Sequence, residues 1–233
     1  MAKKIVLESS IVNDNYTNFV YDTFDIQDRS KSTVEIPMID MNELLSFSWN
    51  IGVILGNSGS GKSTILKSIG DVKTPIYNND KAIVSQFSNM SEKEVCDILS
   101  SVGLSSIPTY LRKPNQLSNG EKARLDLAWL IANANDDELI LIDEFTSVVN
   151  RSCAKSLSFA LQRYIRSSNK KIILVSCHFD IIEWLQPDWV YNLNKQIDDS
   201  IEIERFIYED DAEYKTYNKV NEKDVLSDEK YIN

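Results

Sequence analysis

Gly56-Asn57-Ser58-Gly59-Ser60-Gly61-Lys62-Ser63 follows the apolar run Ile51-Gly52-Val53-Ile54-Leu55. It has the form G-x-x-x-x-G-K-[ST], a glycine-rich turn between a buried strand and a helix that opens near Lys62. Three of the chain's seven glycines lie in these eight positions, which sets the stretch apart from a flexible Gly/Ser linker. Such a turn lets backbone N–H groups crowd around phosphate oxygens, and the helix N-terminus adds partial positive charge. The pattern therefore predicts a nucleoside triphosphate site built from Gly56 through Ser63, with Thr64 beside it. Lys62 is expected to reach the β- and γ-phosphates, and the Ser63 hydroxyl to hold Mg²⁺.

The rest of the chain suits such a site. Short apolar runs alternate with helical patterns from residue 51 to residue 193, which predicts an α/β domain with a mostly parallel sheet. Strands are expected at 51–55, 81–87, 139–142, 171–176 and 189–193, and helices at about 62–70, 91–102, 118–135, 151–167 and 178–185. Ser91…Glu94 and Ser118…Glu121 have the spacing of capping boxes. Residues 1–50 show no helical period, and clusters at 5–7, 18–26 and 33–39 read as short strands. Tyr16, Phe19, Tyr21 and Phe24 lie there as candidates either for the core or for stacking on adenine. Residues 1–195 form one domain in this reading, with a β-rich segment at 1–50 and a helical insert at 91–136. Residues 196–233 form an acidic extension, with Ile201–Glu204 as an edge strand.

The net charge of −10 argues against a general nucleic-acid-binding surface, and −6 of it comes from Lys195 to Asn233 (12 acidic and 6 basic residues). Cys96, Cys153 and Cys177 are odd in number and far apart, as in a reducing compartment. No run approaches the length of a membrane span, and a cytoplasmic location without membrane insertion is expected.

Asp143-Glu144 ends the strand at 139–142, so both carboxylates should emerge at the sheet edge where α/β folds bind ligands. Asp143 is the expected acceptor for water on Mg²⁺, and Glu144 the group that orients and polarises an attacking water. His178, the chain's single histidine, follows the strand at 171–176 at the same edge. Cys177 beside it invites a Cys–His nucleophile, but neighbouring side chains on a strand point to opposite faces.

The ordered set of Gly56–Ser63, Gln86, Leu117–Glu121, Leu139–Glu144 and His178 resembles the nucleotide-binding domain of ABC ATPases. The family signature LSGGQ reads LSNGE here, and Phe145 to Asn150 resembles the P-T-S-A-L-D loop, with Asn150 in place of aspartate. The resemblance implies ATP and Mg²⁺ as cofactors and a head-to-tail homodimer closed by ATP. It implies that one subunit's phosphate loop faces Ser118, Asn119, Gly120 and Glu121 of the other. It also implies Glu144 as general base, His178 as switch residue, and Gln86 as the link between the metal and the helical insert. Only 30 residues (87–116) separate Gln86 from the signature, fewer than in most transporter subunits. That favours an ATP-driven clamp on a macromolecular partner, nucleic-acid-associated or otherwise, over a transporter's ATP-binding subunit. A vestigial, nucleotide-gated binding module is the third reading. The runs DEFTSVVNR and CHFDIIEWLQPDWVYNL resemble a soluble phage and bacterial group in which the ATPase is often fused to a GNAT-type acetyltransferase. An acetyltransferase is a candidate partner on that ground.

Overall fold

The computed structural model describes residues 4–27, 31–135, 138–168, 170–195, 201–207 and 218–220. The described chain begins with β1 (Lys4–Ser10), α1 (Asn15–Thr23), β2 (Lys31–Pro37) and α2 (Met41–Leu45). β3 (Ile51–Leu55) and α3 (Lys62–Ile69) flank the glycine-rich turn, and a 3₁₀ turn covers Ile83–Gln86. The insert holds α4 (Glu92–Ser101), α5 (Ile107–Tyr110), a 3₁₀ turn at Pro114–Gln116 and α6 (Asn119–Ala132). β4 (Leu139–Ile142), α7 (Arg151–Ser168), β5 (Lys171–Ser176), α8 (Ile181–Leu185) and β6 (Trp189–Asn192) follow, then β7 (Ile203–Ile207) and β8 (Asn218–Val220).

The main sheet has the order β4-β5-β3-β6-β7-β8. Its first four strands are parallel, and β7 and β8 join antiparallel. Period-2 alternation splits the strand residues between two cores. Ile51, Val53, Leu55, Ile172 and Leu174 face the layer that includes α6 and α7, while Ile54, Ile173, Val175, Trp189 and Tyr191 face the layer of α3. Trp184 and Trp189 are both core residues, and Trp189 packs edge-on against Trp49 with centroids 5.5 Å apart.

Three expectations are corrected. Residues 15–23 are helical, because the Asp14 carboxylate caps the Tyr16 and Thr17 N–H groups and the Thr17 hydroxyl accepts from Asp14 in return. The predicted strand at 81–87 is a 3₁₀ turn, whose Ile83 N–H bonds the Arg112 carbonyl rather than a sheet neighbour. The strand expected at 201–204 runs from Ile203 to Ile207, and β8 pairs outside it, so it is not the edge. β1 and β2 do pair, as a separate antiparallel ribbon. Residues 196–200, 208–217 and 221–233 of the acidic extension lie outside the described residues.

Candidate functional site

β3 is fully buried and points its C-terminal end into the turn that opens α3. Gly61 caps α3 at φ 90°, and a Cβ there would come within 2.8 Å of the Ile36 side chain on β2. The N-terminal ribbon therefore braces the loop from below, and only glycine fits between them. The first turn of α3 leaves N–H groups free to face an anion.

Lys62 is 9% exposed, and its Nζ donates to the Asn57 carbonyl at 2.6 Å. The Ser63 hydroxyl donates to Asp143 Oδ1 at 3.0 Å. That same carboxylate oxygen accepts the Glu144 N–H at 2.9 Å, which fixes its orientation. Glu144 is exposed and sits at φ 51°, with Thr146 at φ 67° two residues on, so the chain leaves β4 through a strained turn. Lys62, Ser63, Thr64, Asp143 and Glu144 line one cleft of about 460 Å³. Ser58, Gly59 and Gly61 line it as well.

His178 is half-buried and does not line the cleft, whereas its neighbour Cys177 does. The His178 N–H donates to Ser176 Oγ at 3.1 Å, and that hydroxyl donates to the Phe145 carbonyl at 3.0 Å. The loops after β4 and β5 are thereby joined. Arg151 joins them again: it donates to both carboxylate oxygens of Asp180, lies 3.4 Å from Thr146 Oγ1 and stacks 5.1 Å from the Trp184 ring.

No family model matches the chain. Curated relatives include the methionine import ATP-binding protein MetN 1 of Pseudomonas syringae pv. syringae, 24% identical over 64% of this chain and 56% of the relative. The energy-coupling factor transporter ATP-binding protein EcfA1 of Latilactobacillus sakei is 25% identical, covering 70% of this chain and 73% of its own length. The chain spans about half the length of the MetN relatives it matches. Among solved structures, the dimeric ATP-binding cassette MJ0796 in a post-hydrolysis state with ADP and Pi aligns with a TM-score of 0.52. That alignment covers 75% of this chain and 92% of MJ0796 at 17% identity.

The fold is that of an ABC ATPase cassette.

None of Ser118, Asn119, Gly120 and Glu121 lines the cleft of the glycine-rich turn. Ser118 caps α6, and the Glu121 carboxylate accepts from the Ser118 N–H and hydroxyl, both at 2.8 Å. Those bonds, with Arg112 nearby, hold the Glu121 pKa below its ordinary value. Asn119 lines a second cavity of about 320 Å³ between α6 and the turn after β4, where Asp143 and Glu144 form a shared rim. Ser118, Gly120 and Glu121 line neither cavity.

Gln86 is not brought to Ser63 or Asp143. Its carboxamide accepts from the Asn78 N–H and donates to the carbonyls of Asn78, Lys81 and Ala82. Of the candidate adenine-stacking aromatics, Tyr21 is buried while Tyr16, Phe19 and Phe24 are exposed on or just beyond α1, and none lines the cleft. Arg151 and Asp180 escaped sequence reasoning because an ion pair 29 residues apart leaves no local pattern.

Proposed function

We propose that the cassette binds ATP with Mg²⁺ and hydrolyses it in a head-to-tail pair of two copies. The convergence of Lys62, Ser63, Asp143 and Glu144 on one cleft carries this reading. The Ser63 hydroxyl and Asp143 carboxylate, 3.0 Å apart, are the hard oxygen donors that Mg²⁺ prefers, and the ion would neutralise charge on the phosphates. Lys62 would turn N–H donors of its ammonium, one of which now holds the Asn57 carbonyl, to phosphate oxygens. Glu144 would orient a water in line with the γ-phosphorus and accept its proton as the new P–O bond forms and ADP leaves. His178 would contact the γ-phosphate from the neighbouring loop. Ser118, Asn119 and Gly120 would reach the nucleotide from a second copy, since none of them lines the cleft of their own chain.

The relatives' names speak of import and of a transporter, which supports an ATP-binding subunit of a transporter better than the free-standing clamp that the short insert suggests. Such a subunit would work at the cytoplasmic face of a membrane, held by a separate permease. Among the described residues no helix is long and apolar enough to cross a membrane. α5 exposes Ile107 beside the 3₁₀ turn at Ile83–Gln86, and Leu111 follows it, also exposed; this apolar edge suits a docking partner. None of the relatives named above is an acetyltransferase.

Light scattering of Glu144→Gln with and without MgATP tests the reading. Loss of the proton acceptor should trap ATP and hold two copies together, and a monomer at saturating MgATP would refute the homodimer. Co-purification from membranes with a permease is expected for a transporter subunit, and recovery only in the soluble fraction would return the clamp to first place.

A further inference from the structure

Asn194 lies 137 residues downstream of Asn57, in the turn that follows β6. Both ends of its carboxamide are used on that one loop residue. Its Oδ1 accepts the Asn57 N–H at 3.2 Å, and its Nδ2 donates to Asn57 Oδ1 at 3.1 Å. The turn carrying it is itself pinned. The Leu193 N–H donates to the Leu55 carbonyl at 2.8 Å, and the buried Asn192 side chain accepts the Asn194 N–H at 3.0 Å. Lys195 completes the anchorage with an ion pair to Glu204 on β7. Gly56 packs against the same turn so closely that a Cβ would lie 3.1 Å from Leu193 Cβ.

Asn57 is thus gripped from two sides, by Asn194 on its outer face and by Lys62 on its carbonyl at 2.6 Å. Nucleotide would draw on the three N–H donors of the Lys62 ammonium, which must then divide them between this carbonyl and phosphate oxygens. The Asn194 contact makes no such demand, since it uses the N–H and side chain of Asn57 and leaves the carbonyl alone.

We propose that Asn194 is a positioning residue for the phosphate loop, keeping the Asn57 peptide in place while Lys62 turns donors toward nucleotide. The proposal rests on the nucleotide-binding reading above. A loop already held in its binding form loses less conformational entropy when ligand arrives, so the gain appears in affinity. Asn57 and Asn194 are both exposed, so their bonds add little to global stability.

The test combines MgATP kinetics with amide exchange of the nucleotide-free protein. Asn194→Ala should raise KM for MgATP about fivefold, with a smaller change in kcat, while Tm moves by no more than about 2 °C. Asn57→Ala removes only the side-chain half of the contact and should cost less. The double variant Asn57→Ala/Asn194→Ala should lose no more than Asn194→Ala alone, because one residue acts through the other. Without nucleotide, Asn194→Ala should speed exchange at residues 57–60. A KM within twofold of wild type overturns the proposal, as does a fall in Tm with faster exchange throughout the molecule. If the wild type binds no MgATP, the nucleotide reading fails separately. Exchange then decides whether Asn194 holds the loop, and unchanged rates at 57–60 refute that.

Discussion

Ser63 Oγ and Asp143 Oδ1 meet at 3.0 Å although 80 residues separate them. The contact joins the first turn of α3, which follows β3, to the end of β4, with β5 lying between those two strands. It converts two motifs into one oxygen-lined site. Asp143→Ala should lower ATP turnover by about two orders of magnitude, with Ser63→Ala in the same direction, as phosphate release would show. Unchanged turnover in both would remove this pair from the chemistry.

Asp188 is the strongest buttress at the opposite end of the sheet. Its carboxylate accepts the N–H groups of Asn50 and Ile51 at 2.7 and 2.8 Å and two Arg166 nitrogens at 3.1 Å. Truncation leaves two backbone donors and a half-buried guanidinium without it. Asp188→Ala should therefore cost about 2–3 kcal/mol in chemical denaturation, and Asp188→Asn less, since one acceptor remains.

Arg151 and Asp180 are each about two-fifths exposed, so their pairing contributes little to global stability. It does tie the strained turn containing Thr146 to the loop of His178. Arg151→Ala should leave the denaturation midpoint nearly unchanged and reduce turnover, with Arg151→Lys recovering only part because the bidentate geometry is lost. Equal loss in stability and turnover would mark the pair as simply structural.

The capping boxes at Ser91–Glu94 and Ser118–Glu121 make stability depend on acidity. In each, hydrogen bonds from the serine hold the glutamate pKa below its ordinary 4.5 in the folded chain. A depressed folded value means that the carboxylate stabilises the fold fully above about pH 4.5, and that the contribution fades as pH falls through the folded value. Glu94→Gln/Glu121→Gln should keep neutral caps and lose less stability than wild type between pH 5 and 3 in thermal melts. Parallel curves would show that the boxes do not govern this range.

The glycine-rich turn between β3 and α3, both capping boxes and the parallel strands were legible because each rests on neighbours in sequence. Leu139–Ile142 reads as a buried strand from its composition alone, and Ser118…Glu121 as a helix start from spacing alone. Misreadings arose where one residue decides against its surroundings. Asp14 with Thr17 caps a helix in a stretch whose apolar cluster looks strand-like, and most of that cluster is exposed rather than packed. Lys81–Phe87 has strand composition, but no sheet neighbour offers it a ladder, and the backbone closes on itself. Within the site, the sequence supplies the residue types but not the partners. Nothing local links Asn57 to Asn194 or Arg151 to Asp180.

Gln86 has both ends of its carboxamide committed to Asn78, Lys81 and Ala82. It can turn toward a metal only by dismantling the loop it now scaffolds. The same loop is moored to α6 by the Tyr77 hydroxyl on Asp126, at 2.9 Å. Recruitment of Gln86 would be felt at both ends of one short tether, as slack at residues 78–82 and as a pull on the helix that Ser118 begins. A protease nick between Asn78 and Ala82 would then report on events inside the cleft without touching it.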